Sequence, residues 1–309
     1  MLCLVFSASA PLRLCAQTLT VFSAGSLARP FHELLDSFVV THPSVTPAQE
    51  NAGSLELARR ITELDRVPDV IAVADVDVIP QVLVPKEAEW YAAFARNEMV
   101  LAYTPKSAGA SEVSPANWYD VVTRPGVRMG ASDPALDPNG YRTLMLFQLA
   151  ERYYRSPGLA ARLAASIAPR DLRPNEADLI ALVQVGELDY AWSYRSIALT
   201  AGLKYVALPP EIDLGDATRG ADYARVTVKV RGAAGKNSLT FRGAPILYAL
   251  TIPRRAAHPE AARSFVEFIF SPVGRAILDR NGFRTLERPV AYGKAPAWLG
   301  NSIDQDIPR

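Results

Sequence analysis

Leu19-Thr20-Val21-Phe22-Ser23-Ala24-Gly25-Ser26-Leu27 decides the fold, because its last four residues return as Ala52-Gly53-Ser54-Leu55. The apolar run before the first copy has strand character. Behind that copy Leu27, Phe31, Leu34, Leu35 and Phe38 recur at helical spacing, and His42-Pro43 ends the run. Residues 45–49 read as a second strand, and Leu55, Leu57, Ile61 and Leu64 place an amphipathic helix behind the second copy. Residues 69–74, Asp-Val-Ile-Ala-Val-Ala, read as a buried parallel strand, with a short helix over 76–84. This alternation predicts a doubly wound α/β lobe with its ligand at the carboxyl ends of the strands, where both serines stand.

A helix start carries up to four unpartnered backbone N–H groups and a partial positive charge. Glycine there lets a ligand approach the main chain, and serine adds a hydroxyl donor. Two such starts facing each other are suited to a small oxyanion. Taken singly, Ser26 and Ser54 also read as ordinary N-caps; the repetition favours a shared ligand.

The 309 residues suffice for two lobes, and a hydrophobic content of 49% supplies a core for each. Lys plus Arg number 33 against 32 Asp plus Glu, a formal charge of +1, which argues against a nucleic-acid partner. An anion must therefore be held by local geometry. Residues 1–17 read as a secretory signal, with Ala8-Ser9-Ala10 and the bond after Ala16 as alternative cleavage sites. Cys3 and Cys15 both fall in it, so cleavage after Ala16 leaves no thiol. Cys15 raises a lipid-anchored alternative, against which stands the bulky Leu14 before it. No later run reaches the roughly 18 apolar residues of a spanning helix. The expectation is a soluble, monomeric protein in the periplasm or another extracytoplasmic space.

Residues 99–104, Met-Val-Leu-Ala-Tyr-Thr, lead into a Ser/Gly/Pro-rich stretch and read as a crossover to a second lobe. Residues 246–252, Ile-Leu-Tyr-Ala-Leu-Thr-Ile, have the same character and return the chain, with helices over 258–270 and 272–281 behind them and Gly282 as a stop. The division expected is lobe one over 18–102 and 247–309, and lobe two over 103–246. Two crossings make a two-strand hinge, as in a clamshell that closes on its ligand.

Signatures of enzymes are scarce. His32, His42 and His258 fall on helical faces or helix ends, and no H-E-x-x-H, G-x-S-x-G, G-x-x-x-x-G-K-[ST] or Cys/His metal spacing occurs. Ser26 has no evident base to activate it, unless folding brings an aspartate or lysine near. In the second lobe Asp137 stands at a helix start, as a capping aspartate does. Glu176 opens the helix that runs through Leu182, where a first-turn glutamate is ordinary. Tyr194, closing Tyr190-Ala191-Trp192-Ser193-Tyr194, reads by itself as a core or hinge aromatic.

Taken together, several motifs in order are specific. The two Ala-Gly-Ser copies precede Asp137-Pro138-Asn139-Gly140-Tyr141-Arg142. Glu176 comes next, followed by Gly186-Glu187-Leu188-Asp189-Tyr190 and Leu208-Pro209-Pro210-Glu211-Ile212-Asp213-Leu214. Over nearly all of residues 18–285 the chain resembles the molybdate/tungstate-binding proteins of ABC importers, in the tungstate-type branch first known from archaea. The resemblance implies a type II periplasmic-binding-protein fold, α/β in class, with two doubly wound lobes. It implies molybdate or tungstate as ligand, no cofactor, and delivery to an ABC permease without turnover. Gly25, Ser26 and Ser54 would donate from lobe one. Asp137 with Pro138 and Asn139 just after it, Glu176 and Tyr194 would complete the site from lobe two. It further implies that the metal centre of the oxyanion expands towards six-coordination by taking one oxygen each from Asp137 and Glu176.

That last implication answers a physical difficulty. Ionised carboxylates repel a dianion strongly in a poorly solvated cleft. Molybdenum and tungsten can accept extra oxygen ligands, whereas sulfur in sulfate cannot, so sulfate meets the repulsion without a compensating bond. Two other readings stay open at this point: a sulfate, phosphate or organic-anion receptor of the same fold, and a hydrolase or transferase using Ser26 on a phosphorylated substrate.

Overall fold

The computed structural model describes residues 17–231 and 238–305. The expected signal segment lies outside them apart from Gln17, as do Cys3 and Cys15. The first strands are β1 (Gln17–Ala24), β2 (Val45–Ala52), β3 (Val70–Val73) and β4 (Trp90–Arg96). Next come β5 (Met99–Tyr103), β6 (Met129–Ser132), β7 (Leu172–Arg173), β8 (Tyr190–Tyr194) and β9 (Lys204–Ala207). A ribbon of β10 (Thr227–Arg231) and β11 (Ser238–Arg242) precedes β12 (Leu247–Thr251), β13 (Arg284–Gly293) and β14 (Asp304–Gln305).

Apart from the ribbon, these strands form two sheets, ordered β14-β13-β4-β12-β3-β1-β2 and β7-β6-β8-β5-β9. The sheets share one plan. In the first, β2, β1 and β3 run parallel, and β12, newly returned from the other lobe, is inserted antiparallel between β3 and β4. In the second, β7, β6 and β8 run parallel, and β5, newly arrived, is antiparallel between β8 and β9.

The first crossing therefore lies at Asn97-Glu98, ahead of the position expected. Met99–Tyr103, assigned above largely to lobe one, pairs entirely within the second sheet. An apolar run of that kind reports burial, and burial does not say which sheet supplies the neighbours. The turn is fixed by Asn97, whose side-chain amide donates to Ser196 Oγ (2.7 Å) and Tyr248 Oη (3.4 Å) while its Oδ1 accepts from the Glu98 amide (3.0 Å).

Local sequence explains the elements that bear on the cleft. β3 is buried at every residue, as its unbroken apolar character requires. The helix Ala28–Thr41 turns Phe31, Leu34, Leu35 and Phe38 inward, with Phe31 and Phe38 packed edge-on against Phe265 at ring separations of 6.2 and 5.3 Å. Burying each such side chain contributes roughly 1.5–3 kcal/mol. Between β1 and β2 the register pairs Ala24 with Ala52, so the two tetrapeptides leave the sheet side by side. Among the described residues no helix is long and apolar enough to cross a membrane.

Candidate functional site

The expected site residues stand at the carboxyl ends of parallel strands, in matching positions on the two sheets. Gly25 and Ser26 follow β1, and Ser54 follows β2. Asp137 lies beyond β6 as the N-cap of the helix Pro138–Tyr153, Glu176 begins the helix Glu176–Gln184 after β7, and Tyr194 ends β8. The lobes meet here. Gly25 faces the Asn175 side chain, and Gly53 sits against the Leu136 carbonyl beside Asp137. The eight residues singled out from sequence lie at or just beyond the carboxyl ends of these strands, and all but Gly25 are buried.

Neither serine caps its helix through its side chain. Ser54 Oγ accepts from the Ala74 amide (3.0 Å), and Ser26 Oγ accepts from the Tyr248 hydroxyl (2.9 Å). Tyr194 Oη likewise accepts, from Arg142 Nη1 (2.8 Å). Each of these three hydroxyls has an accepted hydrogen bond that orients it and a proton of its own to offer. One expectation fails here. The second helix start is not an open socket, because Leu55 N and Glu56 N both donate to the Leu136 carbonyl of the other lobe (3.1 and 3.3 Å).

The two acids are adjacent and unequally satisfied. Asp137 Oδ1 accepts from the Asn139 amide (3.0 Å) and Oδ2 from the Glu176 amide (3.1 Å). Glu176 Oε1 accepts from Ser193 Oγ and the Tyr194 amide, both at 2.5 Å. Its Oε2 is buried without a hydrogen-bond partner among the described residues, and so is Asn139 Nδ2. Unpaired buried polar atoms are uncommon, and here a bare acceptor lies on Glu176 and a bare donor on the residue two positions after Asp137. Burial pushes the Asp137 carboxyl up to about 6, against the lowering effect of the Asn139 and Glu176 amides and of Arg142. Burial also holds Glu176 well above the usual carboxylate range, opposed by the Ser193 hydroxyl and reinforced by the charge of Asp137.

Four contributors were not singled out from sequence. Arg142, at 3% exposure, closes the quoted Asp137–Arg142 motif but was given no role there. Asp75 follows β3 and meets Arg142 Nη2 at 3.2 Å. Tyr141, within the quoted motif, donates to Asp75 Oδ2 at 2.5 Å. Tyr248 was read as one residue of an apolar crossover strand, yet its hydroxyl positions Ser26. Each acts through a partner distant in the chain, which spacing does not report.

Two α/β lobes, two crossings and a polar cleft at the strand ends define a type II periplasmic-binding-protein fold, the architecture of a receptor that closes over a small solute. A family model described as bacterial extracellular solute-binding protein matches residues 19–284, and the chain belongs to that family. A solute-binding protein of Petrotoga mobilis is 42% identical over 284 residues, covering 91% of this chain and 88% of its own. The molybdate/tungstate-binding protein of Pyrococcus abyssi is 36% identical over 312 residues, covering 93% and 90%. A solved structure, the sulfate-binding protein of Mycobacterium tuberculosis, superposes with a TM-score of 0.63 over 88% of each chain at 12% identity. The fold is thus shared by a receptor named for a different anion, and the choice of ligand must rest on the cleft.

Proposed function

We propose that the protein captures molybdate or tungstate outside the cytoplasm and hands it to an ABC permease, without turnover. Ser26, Ser54, Tyr194 and Asn139 Nδ2 donate to the oxo groups, Gly25 and Pro138 shape the approach, and Asp137 and Glu176 each give one oxygen to the metal centre. The observation that carries this reading is Glu176 Oε2, a buried carboxylate oxygen with no hydrogen-bond partner among the described residues, beside a second buried carboxylate.

In their ionised form these acids oppose a dianion bound by hydrogen bonds alone. Two unit charges 4 Å apart repel by about 4 kcal/mol at an effective dielectric of 20. A metal centre that accepts the carboxylate oxygens turns this repulsion into bonding, and sulfate has no such recourse. Ser26 fits binding better than nucleophilic attack: its neighbour Tyr248 is held protonated by burial and acts as a donor to Oγ.

Calorimetry with tungstate, molybdate and sulfate on the wild type and on Glu176→Gln tests the proposal. Tungstate affinity is expected to fall about 100-fold in the variant, in line with loss of a charge-assisted contact of about 1.5–3 kcal/mol, while sulfate affinity is unchanged or improved. Equal affinities in the two proteins for all three anions would refute it.

A further inference from the structure

We propose that Arg142 and Asp75 form a clasp across the cleft, assembled only when the lobes meet, which sets how long the anion is held and not which anion is held. The inference rests on the oxyanion reading above and concerns residues outside the proposed ligand set.

Asp75 follows β3 in the first lobe, and Arg142 lies on the helix Pro138–Tyr153 of the second. Arg142 Nη2 is 3.2 Å from Asp75 Oδ2. Arg142 Nη1 donates to the Ala74 carbonyl (2.6 Å) and to Tyr194 Oη (2.8 Å), so both of its hydrogens are committed to protein partners. Asp75 Oδ2 also accepts from Tyr141 (2.5 Å), and Oδ1 accepts from the Asp77 amide (3.0 Å). Both charges are nearly out of solvent, Arg142 at 3% exposure and Asp75 at 7%. The peptide of Ala74 continues the connection, since its amide donates to Ser54 Oγ while its carbonyl accepts from Arg142. A continuous path therefore joins Ser54 of one lobe to Tyr194 of the other.

A buried, fully hydrogen-bonded ion pair adds little when compared with an apolar pair, but removing one partner leaves a buried charge uncompensated and is strongly unfavourable. In a single rigid domain that penalty falls on folding. In a clamshell the orphaned guanidinium has another way out: the lobes part and water reaches it. The loss then falls on the closed form alone.

Asp75→Asn keeps the shape and the Asp77 contact while removing the charge. Stopped-flow release and calorimetry are expected to show tungstate affinity lower by about 100-fold or more, most of it in faster dissociation. The tungstate-to-sulfate ratio and the melting temperature of the ligand-free protein are expected to stay at wild-type values. Tyr141→Phe, which removes one hydrogen bond and no charge, is a milder second variant expected to lose about fivefold. Unchanged release from Asp75→Asn, a lowered ligand-free melting temperature in both variants, or an altered anion ratio would each overturn the clasp. A wild type that binds none of the anions overturns the oxyanion reading and the clasp with it, whereas normal wild-type binding with unaltered variants overturns the clasp alone.

Discussion

The two Ala-Gly-Ser-Leu copies have the same residues and adjacent places in one sheet, yet they meet the second lobe differently. A Cβ added at Gly25 would touch the Asn175 side chain at 3.7 Å, an ordinary contact, and Gly25 and Ser26 line an open groove between the lobes. A Cβ added at Gly53 would lie 2.3 Å from the Leu136 carbonyl oxygen, and that carbonyl caps the helix behind the second copy. The N–H groups of a helix start serve an anion only where no protein carbonyl fills them first. One copy thus stands at an open groove between the lobes, while the other uses its helix start as the seat on which the lobes close.

The sharpest way to break this contrast is Gly53→Ala. Because the obstructing atoms are backbone, they cannot swing aside, and the closed arrangement is excluded. Loss of the second-lobe contacts, about 1–1.5 kcal/mol for each of four side chains, predicts a fall of about 1,000-fold or more in tungstate affinity by calorimetry. Wild-type affinity in this variant would show that the seat is not needed.

A second test probes the ground next to that seat. The Asp137 carboxyl is raised from its ordinary 3.8 to about 6, so the stability it contributes is fully present below 3.8 and is lost as pH rises through 6. Urea denaturation is expected to show the wild type losing on the order of 3 kcal/mol between pH 4 and 7 relative to Asp137→Asn, which retains a capping side chain. Parallel pH profiles would mean that Asp137 is not held in a dry site. The smallest effect belongs to Gly25→Ala, expected to change tungstate affinity by less than about threefold. A loss as large as that of Gly53→Ala would erase the difference between the copies.

Much of this arrangement was legible in the chain. Apolar spacing located β1, β2, β3 and the helices behind them, and the repeated tetrapeptide placed both serines at strand ends. The roles of Asp137 and Glu176 as helix starts also followed from their own neighbourhoods. β4 was not legible, because Trp90–Arg96 is buried on nearly all sides and rich in alanine, so it shows no alternation. β13 was missed for the opposite reason: Arg284–Gly293 carries charges and Pro289, and its pairing to β4 shifts register between Thr285 and Val290. Arg142, Asp75 and Tyr248 were legible only as residue types. What they do depends on partners 52 to 222 positions away, and only the folded cleft brings those together.

On the proposed function, Asp137 and Glu176 turn a tetrahedral oxyanion into a six-coordinate one. X-ray absorption at the molybdenum K edge of the molybdate-loaded protein reads this directly. Six oxygen neighbours and a pre-edge feature much weaker than that of free molybdate are expected. Four equivalent oxygens with the full tetrahedral pre-edge would contradict it.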